Sequence, residues 1–387
     1  MRPRILIIAG EASGDLHGAH LATALKAHAP DVALLGVGGP KMKAAGVDLV
    51  QDIGSVDVIG LVGLAAARTL VKRVLTLRKI LRRDPFDLVV LIDNPGLNFH
   101  FARVAKEAGL RVLYYISPQL WAWRPGRMTW MQQRVDHVVV ILPFEEELYR
   151  RAGVPCTFVG HPLLDDVALS YDRDGLRATY GIPREACVIG LLPGSRIGEV
   201  QGLLPVFLNA ARRLQRERPL RLILAVADTM NHGAIKQVCE DAGLDVRLVM
   251  QDANGVMAAS DLLFIASGTA TLQAAIIGTP MVIAYTLPWF TYVLARLLVR
   301  ITSIGLANIV AGKPFLPELI QDRVTPENLV AEARRILDDA PYRDSLCTEM
   351  ARVRSLLGVP GASARAAAVV LDQVRLSRGG TMMEAAH

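Results

Sequence analysis

The sequence predicts an α/β protein built from two doubly wound domains with parallel strands. Three observations support this fold class. First, 387 residues are enough for two domains of ordinary size. Second, 52% of the residues are hydrophobic but only 5% are aromatic, so aliphatic side chains dominate, as in helices packed on buried parallel sheets. Third, short apolar runs alternate with longer helical stretches in both halves of the chain.

In the first half, apolar runs predict strands and the stretches between them predict helices. The predicted strands are residues 4–9, 32–37, 88–92, 112–116 and 137–142. The predicted helices are residues 15–28, a short helix from Pro40, then 68–83, 98–108 and 144–152. This alternation predicts parallel βαβ units.

A polar stretch at residues 165–175 interrupts the alternation, which then restarts. The second set of predicted strands is residues 187–192, 220–225, 246–250, 261–265 and 281–285. The second set of predicted helices is residues 200–216, 234–242, 269–277 and 326–337, followed by two helical stretches that end near residue 377. We therefore expect domains at 1–165 and 166–340, with helices in 341–378 that pack on the N-terminal domain or on a dimer partner.

The composition argues against several classes of protein. No charged residue lies between Leu262 and Ala295, but Pro280, Pro288 and the glycines interrupt this run, so we predict no membrane span. The four cysteines have no metal-binding or disulfide spacing, and we expect reduced thiols in the cytoplasm. The net charge of +6 is not accompanied by an aromatic ladder, which makes a nucleic-acid partner a poor candidate.

Two glycine-containing loops follow the first two predicted strands. They read GEASGD at residues 10–15 and GVGGP at 36–40. Each allows a sharp turn into a helix, whose free N–H groups favour anions. Neither contains Gly-x-Gly-x-x-Gly, so a nicotinamide dehydrogenase is disfavoured. Asp15 has two interpretations: it shapes a binding site, or it caps the helix.

The loop after the strand at 88–92 reads DNPGLN at residues 93–98. An acid at the end of a buried strand, beside the start of a helix, is a candidate general base. The alternative is that Asp93 or Asn98 caps the next helix. The sequence alone leaves both interpretations open.

The second half offers two candidate anion sites. Residues 192–196 read LPGSR, and residues 267–270 read SGTA, each between a strand and a helix. Arg196 can bind a phosphate through two parallel hydrogen bonds, and two such sites in one domain suit a diphosphate. No P-loop motif is present. Asp172 and Asp174 are better explained as helix caps than as metal ligands, so we predict no metal site.

Two basic and apolar segments favour contact with an anionic membrane surface. They are residues 58–83 and residues 288–301, the second of which contains Trp289 and Phe290. Basic amphipathic helices bind anionic lipid. A core helix with a solvated basic face would give the same pattern.

Seven motifs, in this order along the chain, resemble those of the lipid-A-disaccharide synthases. They are AGEASGD at 9–15, GVGGP at 36–40, YISPQLWAWR at 115–124, LPFE at 142–145, FVGHP at 158–162, LPGSR at 192–196 and SGTATL at 267–272. The resemblance covers about residues 4 to 340. The run at residues 117–124 is highly specific, whereas short glycine loops alone would not be.

This resemblance implies a GT-B glycosyltransferase of lipopolysaccharide synthesis in Gram-negative bacteria, with two Rossmann-like domains that face each other across a cleft. The donor would be UDP-2,3-diacylglucosamine and the acceptor 2,3-diacylglucosamine 1-phosphate (lipid X). The products would be UDP and the β(1→6)-linked disaccharide 1-phosphate, formed with inversion. The family implies no cofactor and a peripheral, cytoplasmic homodimer at the inner face of the inner membrane, in contact with its anionic lipids.

The resemblance also implies roles for particular residues. Asp93 matches the proposed general base, His17 is a second candidate base, and Arg196 would stabilise the departing UDP. The other expected UDP contacts are Gly194, Ser195, Ser267, Gly268, Thr269, Ala270 and Gln273, the last at a position where GT-B enzymes usually have Glu. The expected acceptor and cleft residues are Glu11, Ser13, Gly14, Asp15, Asn98, Asn308 and Gln321. The expected membrane contacts are Leu70, Val74 and Leu77.

Two alternatives remain open at this point. One is another GT-B enzyme that uses UDP-sugars, such as a peptidoglycan N-acetylglucosaminyltransferase or a UDP-sugar epimerase. The other is a non-catalytic carrier of lipid or nucleotide at the membrane surface. A product assay separates both from the favoured reaction.

Overall fold

A computed structural model of the chain describes residues 2–52, 64–118, 127–227, 229–287 and 303–384. The chain divides into two compact units. Unit 1 comprises Met1–Pro162 and Gly358–His387, and unit 2 comprises Leu163–Leu357. Each unit contains one parallel sheet, which confirms the predicted fold class.

The sheet of unit 1 has seven strands in the order β3-β2-β1-β4-β5-β6-β7. Their bounds are β1 Arg4–Ala9, β2 Ala33–Gly38, β3 Asp48–Asp52, β4 Leu88–Ile92, β5 Val112–Tyr115, β6 His137–Val140 and β7 Cys156–Phe158. All the pairings are parallel. Because β4 returns to the other side of β1, the order of the strands reverses between these two.

Helices cover both faces of this sheet. They are α1 Ala12–His28, α2 Pro40–Ala44, α3 Leu64–Arg83, α4 Pro95–Glu107, α5 Arg127–Arg134 and α6 Pro143–Arg151. The predicted strands are continuous apolar runs because both of their faces are buried. In β4, Val90 and Ile92 belong to the core cluster on one face, and Val89 and Leu91 belong to the cluster on the other. Each such side chain stabilises the fold by about 1.5–3 kcal/mol when fully buried.

Unit 2 repeats this architecture with six parallel strands in the order β10-β9-β8-β11-β12-β13. The strands are β8 Cys187–Leu192, β9 Leu220–Val226, β10 Val246–Met250, β11 Leu262–Ala266, β12 Met281–Tyr285 and β13 Glu318–Ile320. The helices are α7 Leu163–Asp166, α8 Arg173–Thr179, α9 Ile197–Gln215, α10 His232–Asp241, α11 Ala253–Ala259, α12 Thr269–Ile277, α13 Leu306–Ala311, α14 Pro326–Asp338 and α15 Ala340–Leu356. Here the strand order reverses between β8 and β11.

The last helix, α16 Ala362–Glu384, belongs to unit 1, whereas α15 belongs to unit 2. Ala366, Ala367 and Val370 of α16 are buried in the core cluster that also contains residues of α1. At its far end, Arg378 makes two hydrogen bonds of 2.9 Å to the carboxylate of Asp87. The C-terminal segment thus completes one face of the first sheet.

Three strands were not predicted from the sequence, and four helices begin earlier than predicted. Strands β3, β7 and β13 are short or carry charged residues, which hides their apolar pattern. Helices α1, α3, α4 and α9 begin about one turn earlier than predicted, because the loop residues before each predicted start are already helical. The predicted features at residues 58–63, 121–124 and 288–301 lie outside the described residues.

Candidate active site

In both units, the candidate site residues follow strands at the point where the strand order reverses. Ligands of open α/β sheets bind at this point, beyond the carboxyl ends of the strands. In unit 1 the loops at residues 10–15 and 93–98 follow the neighbouring strands β1 and β4. In unit 2 the loops at residues 193–196 and 267–268 follow the neighbours β8 and β11. Within each unit, the fold therefore places the predicted loops at one sheet edge.

Asp93 lies directly beyond β4 in an unusual backbone conformation. Its φ is 49°, and that of Asn94 is 39°, so both are in the left-handed region. Few non-glycine residues adopt this region, although Asn and Asp tolerate it best. The carbonyl oxygen of Asp93 accepts hydrogen bonds from the Tyr114 hydroxyl at 2.6 Å and from Asn98 Nδ2 at 2.7 Å. Two side chains thus hold the turn that carries the candidate base.

The carboxyl group of Asp93 is partly shielded from solvent. Burial raises the pKa of this carboxyl above its usual value, and a hydrogen bond from the Asn94 backbone N–H opposes the rise. A higher pKa makes the ionised carboxylate a better proton acceptor, because its conjugate acid is then closer in strength to the group it must deprotonate. The environment of Asp93 therefore suits a general base.

Asn98 has a different role from the predicted contact with the acceptor. Its side chain is fully buried in the first turn of α4. Besides the carbonyl of Asp93, its Nδ2 donates to the carbonyl of Ile92 at 2.9 Å. The Asn98 amide nitrogen therefore supports the turn.

Asp15 joins the two glycine loops of unit 1. Its buried carboxylate accepts hydrogen bonds from the backbone N–H groups of Gly39 at 2.8 Å, Met42 at 3.0 Å and Lys41 at 3.0 Å. A Cβ at position 39 would lie 2.6 Å from Asp15 Oδ2, which explains the glycine there. Of the two interpretations of Asp15, capping is thus the one observed, but the helix that Asp15 caps is α2 and not its own.

The loop after β1 also contacts the loop after β4. Asn94 Nδ2 donates to Glu11 Oε1 at 3.1 Å, and the Asn94 side chain also caps α4. A Cβ on Gly10 would lie 2.5 Å from Asn94 Nδ2, so this close approach requires glycine. Of the remaining predicted acceptor residues, Ser13 is exposed and Gly14 is buried. The Ser13 side chain is therefore accessible to solvent at this loop.

His17, the second candidate base, lies one turn further along α1. Its Nδ1 is buried and has no hydrogen-bond partner among the described residues. Burial, with a smaller contribution from His20, lowers its pKa to about 4. Burial, with a smaller contribution from His17, likewise lowers the pKa of His161 to about 3. Both imidazoles are therefore neutral at pH 7, so His17 is available to accept a proton but adds no positive charge.

The end of the neighbouring strand β5 is also strained. Ile116 has a φ of 59°, which is rare for a β-branched residue. The next residue, Ser117, donates from its hydroxyl to Glu145 Oε1 at 3.0 Å, and Glu145 itself is buried. Strained residues at adjacent strand ends are typical of functional sites. The specific motif that begins at Ser117 continues to Arg124, and its residues 119–124 lie outside the described residues.

Unit 2 has a cavity of about 570 Å³ at the corresponding edge. Its lining includes all of the predicted nucleotide-binding residues: Gly194, Ser195, Arg196, Ser267, Gly268, Thr269, Ala270 and Gln273. Thr229 Oγ1 donates to the Ser195 carbonyl at 2.7 Å and holds the first loop. Both the volume and the helix starts that border the cavity suit a nucleoside diphosphate.

A carboxylate that the sequence analysis missed lies in this cavity. Glu199 Oε1 accepts a hydrogen bond from Arg196 Nη1 at 3.0 Å, and its Oε2 accepts weaker bonds from the N–H groups of Ser195 and Arg196. Gly194 has a φ of 113°, and a Cβ there would lie 2.4 Å from Glu199 Oε2. The signal was present in the sequence, because Glu at the third position of a helix reaches back to the residue that caps it.

The second loop of the cavity leads into α12. Ser267 Oγ donates to the carbonyl of Ile304 at 3.0 Å, and Thr271 Oγ1 donates to the carbonyl of Gly268 at 2.8 Å. Gln273 Nε2 lies 3.3 Å from Asn254 Oδ1. Gln251, Asp252 and Ala253 also line the cavity and were not anticipated, because they follow β10 without a glycine motif.

Asn308 and Gln321, predicted to line the cleft, bond through their amide groups to other segments of unit 2. Buried Asn308 donates to the carbonyl of Leu316 and to Glu318, and its Oδ1 accepts from the N–H groups of Phe315 and Leu316. The Gln321 amide pairs with both the N–H (2.6 Å) and the carbonyl (2.9 Å) of Leu287. These residues hold the chain at the borders of the strands and are not free to bind a ligand through those groups.

Helix α3 carries the predicted membrane contacts, and the structure changes which of its residues qualify. Leu77 is only 2% exposed within the core, and Val74 packs against the same core cluster. The side chain of Leu70 lies outside the described residues. The exposed apolar residues of the described helix are Val71 and Leu75, at 57% and 56% exposure. Leu77 is therefore a core residue.

In the described ranges, no helix is both long and apolar enough to cross a membrane. Within the same ranges, no group of three or more His, Cys, Asp or Glu residues is arranged to hold a metal ion.

Comparison with known sequences and structures gives consistent results. Residues 5–356 match the family model described as "Lipid-A-disaccharide synthetase". The chain is 44% identical to the lipid-A-disaccharide synthase of Trichlorobacter lovleyi, over 97% of this chain and 98% of that protein. It is 43% identical to the synthase of Geobacter metallireducens, with the same coverage.

Two solved structures share the fold at low sequence identity. UDP-GlcNAc 2-epimerase from Neisseria meningitidis, bound to UDP-GlcNAc, superposes with a TM-score of 0.65 at 12% identity, over 95% of this chain and 100% of that chain. MurG from Acinetobacter baumannii gives a TM-score of 0.57 at 16% identity, over 96% and 99%. The fold is thus that of GT-B glycosyltransferases and of epimerases that resemble them.

Proposed function

The chain belongs to the lipid-A-disaccharide synthetase family and is a glycosyltransferase, and on that premise we propose the reaction that it catalyses. The donor is UDP-2,3-diacylglucosamine, and the acceptor is 2,3-diacylglucosamine 1-phosphate. The products are UDP and the β(1→6)-linked disaccharide 1-phosphate, with inversion at the anomeric carbon.

The observation that carries this proposal is the arrangement of the unit 2 cavity. Arg196 and the starts of helices α9 and α12 border the cavity at the sheet edge where the strand order reverses. Charge develops on the diphosphate as UDP departs, and a guanidinium together with helix N–H groups stabilises such charge. In this scheme Gly194, Ser195 and residues 267–270 bind the diphosphate, and Gln273 accepts a hydrogen bond from the ribose.

Unit 1 supplies the base in the proposed mechanism. The Asp93 carboxylate takes the proton of the acceptor 6-hydroxyl while the oxygen O6 bonds to the anomeric carbon of the donor. The bond between that carbon and the β-phosphate oxygen breaks, and UDP leaves with the electron pair. A single displacement of this kind inverts the anomeric centre. The raised pKa of Asp93 supports this role, because protonation of its carboxylate during the transfer then costs less free energy.

His17 is the competing candidate. A pKa of about 4 leaves the imidazole of His17 uncharged at pH 7, with its Nδ1 atom buried. We favour Asp93 because it directly follows β4 at the edge where the strand order reverses, whereas His17 lies further along α1. A His17→Asn variant that retains more turnover than Asp93→Asn supports this order, and the reverse ranking assigns the base to His17.

We also propose that α3 binds the inner face of the cytoplasmic membrane. Exposed Val71 and Leu75 lie on the same helix as Lys72, Arg78 and Lys79, a combination that favours anionic lipid surfaces. Changing Val71 and Leu75 together to Ser should lower the affinity for vesicles of phosphatidylglycerol and phosphatidylethanolamine about tenfold. Co-sedimentation with the vesicles measures this affinity. Leu376→Ser, which changes an equally exposed leucine on α16, is the matched control. Unchanged binding by the double variant contradicts this surface.

Mass spectrometry of the reaction products tests the proposed reaction. With both diacylated substrates, we expect the disaccharide 1-phosphate and an equal amount of UDP. With UDP-N-acetylglucosamine in place of the diacylated donor, we expect almost no product. Epimerised UDP-N-acetylglucosamine would support the epimerase alternative, and binding of UDP or of the acceptor without any product would support a carrier.

A further inference from the structure

We infer that Tyr114 and Asn98 are positioning residues that hold Asp93 in its left-handed conformation and thereby aim its carboxylate. This inference rests on the function proposed above, in which Asp93 is the base. The two side chains bond to the main-chain carbonyl of Asp93 and leave its carboxyl group free to react.

The carbonyl of Asp93 is the point at which the strand becomes a turn. The backbone N–H of Asp93 still donates to Tyr115 O at 3.2 Å, as a residue of the sheet would. Its φ of 49° then turns the chain out of the strand direction. Without support at the carbonyl, the extended conformation has lower energy for Asp, and the carboxylate would move with the backbone.

Tyr114 supplies the first of the two hydrogen bonds from the neighbouring strand. The residue is completely buried in β5, and its hydroxyl lies 2.6 Å from the Asp93 carbonyl oxygen. Burial, followed by the nearby charge of Asp93, raises the pKa of the Tyr114 hydroxyl well above its usual value. The hydroxyl therefore stays protonated and remains a donor across the working pH range.

Asn98 supplies the second hydrogen bond from the other side of the turn. One amide nitrogen donates to two successive carbonyls, at 2.9 Å to Ile92 and at 2.7 Å to Asp93. Asn98 is itself fixed, because its backbone N–H donates to Asn94 O at 3.0 Å. The last strand residue, the candidate base and the start of α4 are thus tied together through a single side chain.

This arrangement separates positioning from chemistry. Removing the Tyr114 hydroxyl leaves the carboxylate, the second hydrogen bond from Asn98 and the surrounding core in place. The loss therefore affects turnover through the orientation and solvent exposure of Asp93, and substrate binding should be largely retained. A more exposed carboxylate also has a lower pKa, because the burial that raises it is reduced.

The test compares Tyr114→Phe with Tyr149→Phe, which removes another buried tyrosine hydroxyl from the same core cluster. We expect Tyr114→Phe to lower kcat about tenfold, as for the loss of one well-placed hydrogen bond, with KM for both substrates within about twofold. The acid limb of its kcat profile should move to lower pH. Tyr149→Phe should keep both kcat and the profile.

A second variant tests the same role in case Tyr114→Phe does not fold. Asn98→Ser shortens the other donor, and it should give the same fall in kcat and the same direction of shift, with circular dichroism used to verify folding. If folded Tyr114→Phe and Asn98→Ser both keep the wild-type kcat and pH profile, the positioning role is wrong. If Asp93→Asn also keeps full turnover, the proposed base is wrong as well, so the two failures are distinguishable.

Discussion

In both units, the candidate loops lie at the sheet edge where the strand order reverses, but their polar side chains are used differently. At the unit 1 edge, the polar side chains of Asp15, Asn94 and Asn98 bond to the protein itself. At the unit 2 edge, the loops surround a cavity of about 570 Å³, and the side chain of Arg196 is 74% exposed. Unit 1 therefore uses its polar side chains to fix its loops, whereas unit 2 keeps a largely exposed arginine, paired with Glu199, beside a cavity.

The difference fits the task that the proposed mechanism gives to each edge. A base must be held at a fixed distance from the proton it removes, and internal hydrogen bonds provide that rigidity. A nucleotide site instead needs donors that exchange their present partners for a ligand. Glu199 in unit 2 is such a present partner, because its carboxylate accepts the bonds that a phosphate would otherwise accept.

The largest effect is expected where the unit 1 edge is most tightly bonded. Asp15→Ala leaves three backbone N–H groups without their acceptor and should lower the free energy of unfolding by about 3 kcal/mol. Urea denaturation measures this change. The control is Asp31→Ala, at an exposed position of the same unit, which should cost less than about 0.5 kcal/mol. Equal stabilities for the two variants would remove the contrast between the edges.

An intermediate effect is expected from the exposed arginine of unit 2. Arg196→Ala should weaken UDP binding about tenfold in isothermal titration calorimetry, since it removes a charge-assisted contact to the diphosphate. The free energy of unfolding should hardly change. Arg184→Ala is a matched control in the same unit, because Arg184 is also 74% exposed but does not line this cavity. Equal UDP affinity of the Arg196→Ala and Arg184→Ala proteins would place the diphosphate elsewhere.

The smallest effect has the opposite sign. Glu199→Gln should tighten UDP binding about threefold, because the amide competes less well for Arg196 and no longer repels the diphosphate. The gain should shrink as salt is added, since charge interactions are screened. Glu240→Gln, at an exposed position of unit 2, should leave the affinity unchanged. Weaker binding by Glu199→Gln would show that Glu199 assists the nucleotide instead of competing with it.

The sequence was sufficient to predict the two sheets and the loops at their edges. Buried parallel strands such as Leu88–Ile92 are continuous apolar runs, and ligand sites follow them by topology. The partners of polar side chains could not be predicted, because they depend on contacts distant in sequence. Asp15 caps the helix that begins at Pro40, 25 residues further along the chain. Gln321 likewise pairs with the distant Leu287.

The same reasoning explains the residues whose roles changed. Asn98, Asn308 and Leu77 have the residue types of ligand or lipid contacts, but each is buried by neighbours that no local pattern reveals. Glu199 was missed although its position in the first turn of α9 was visible, because the glycine and arginine beside it suggested a phosphate site alone. Local sequence thus located the candidate loops, and tertiary packing determined which of their side chains are buried.

The most direct test of the account is the turnover of Asp93→Asn, with the UDP dissociation constant measured on the same preparation and Asp31→Asn as the matched control. If Asp93 is the base, kcat falls by at least about 100-fold, while UDP affinity stays within about twofold of wild type. Asp31→Asn should match the wild type in both. Near-normal turnover of Asp93→Asn, or a large loss of its UDP affinity, would contradict the division of roles between the two units.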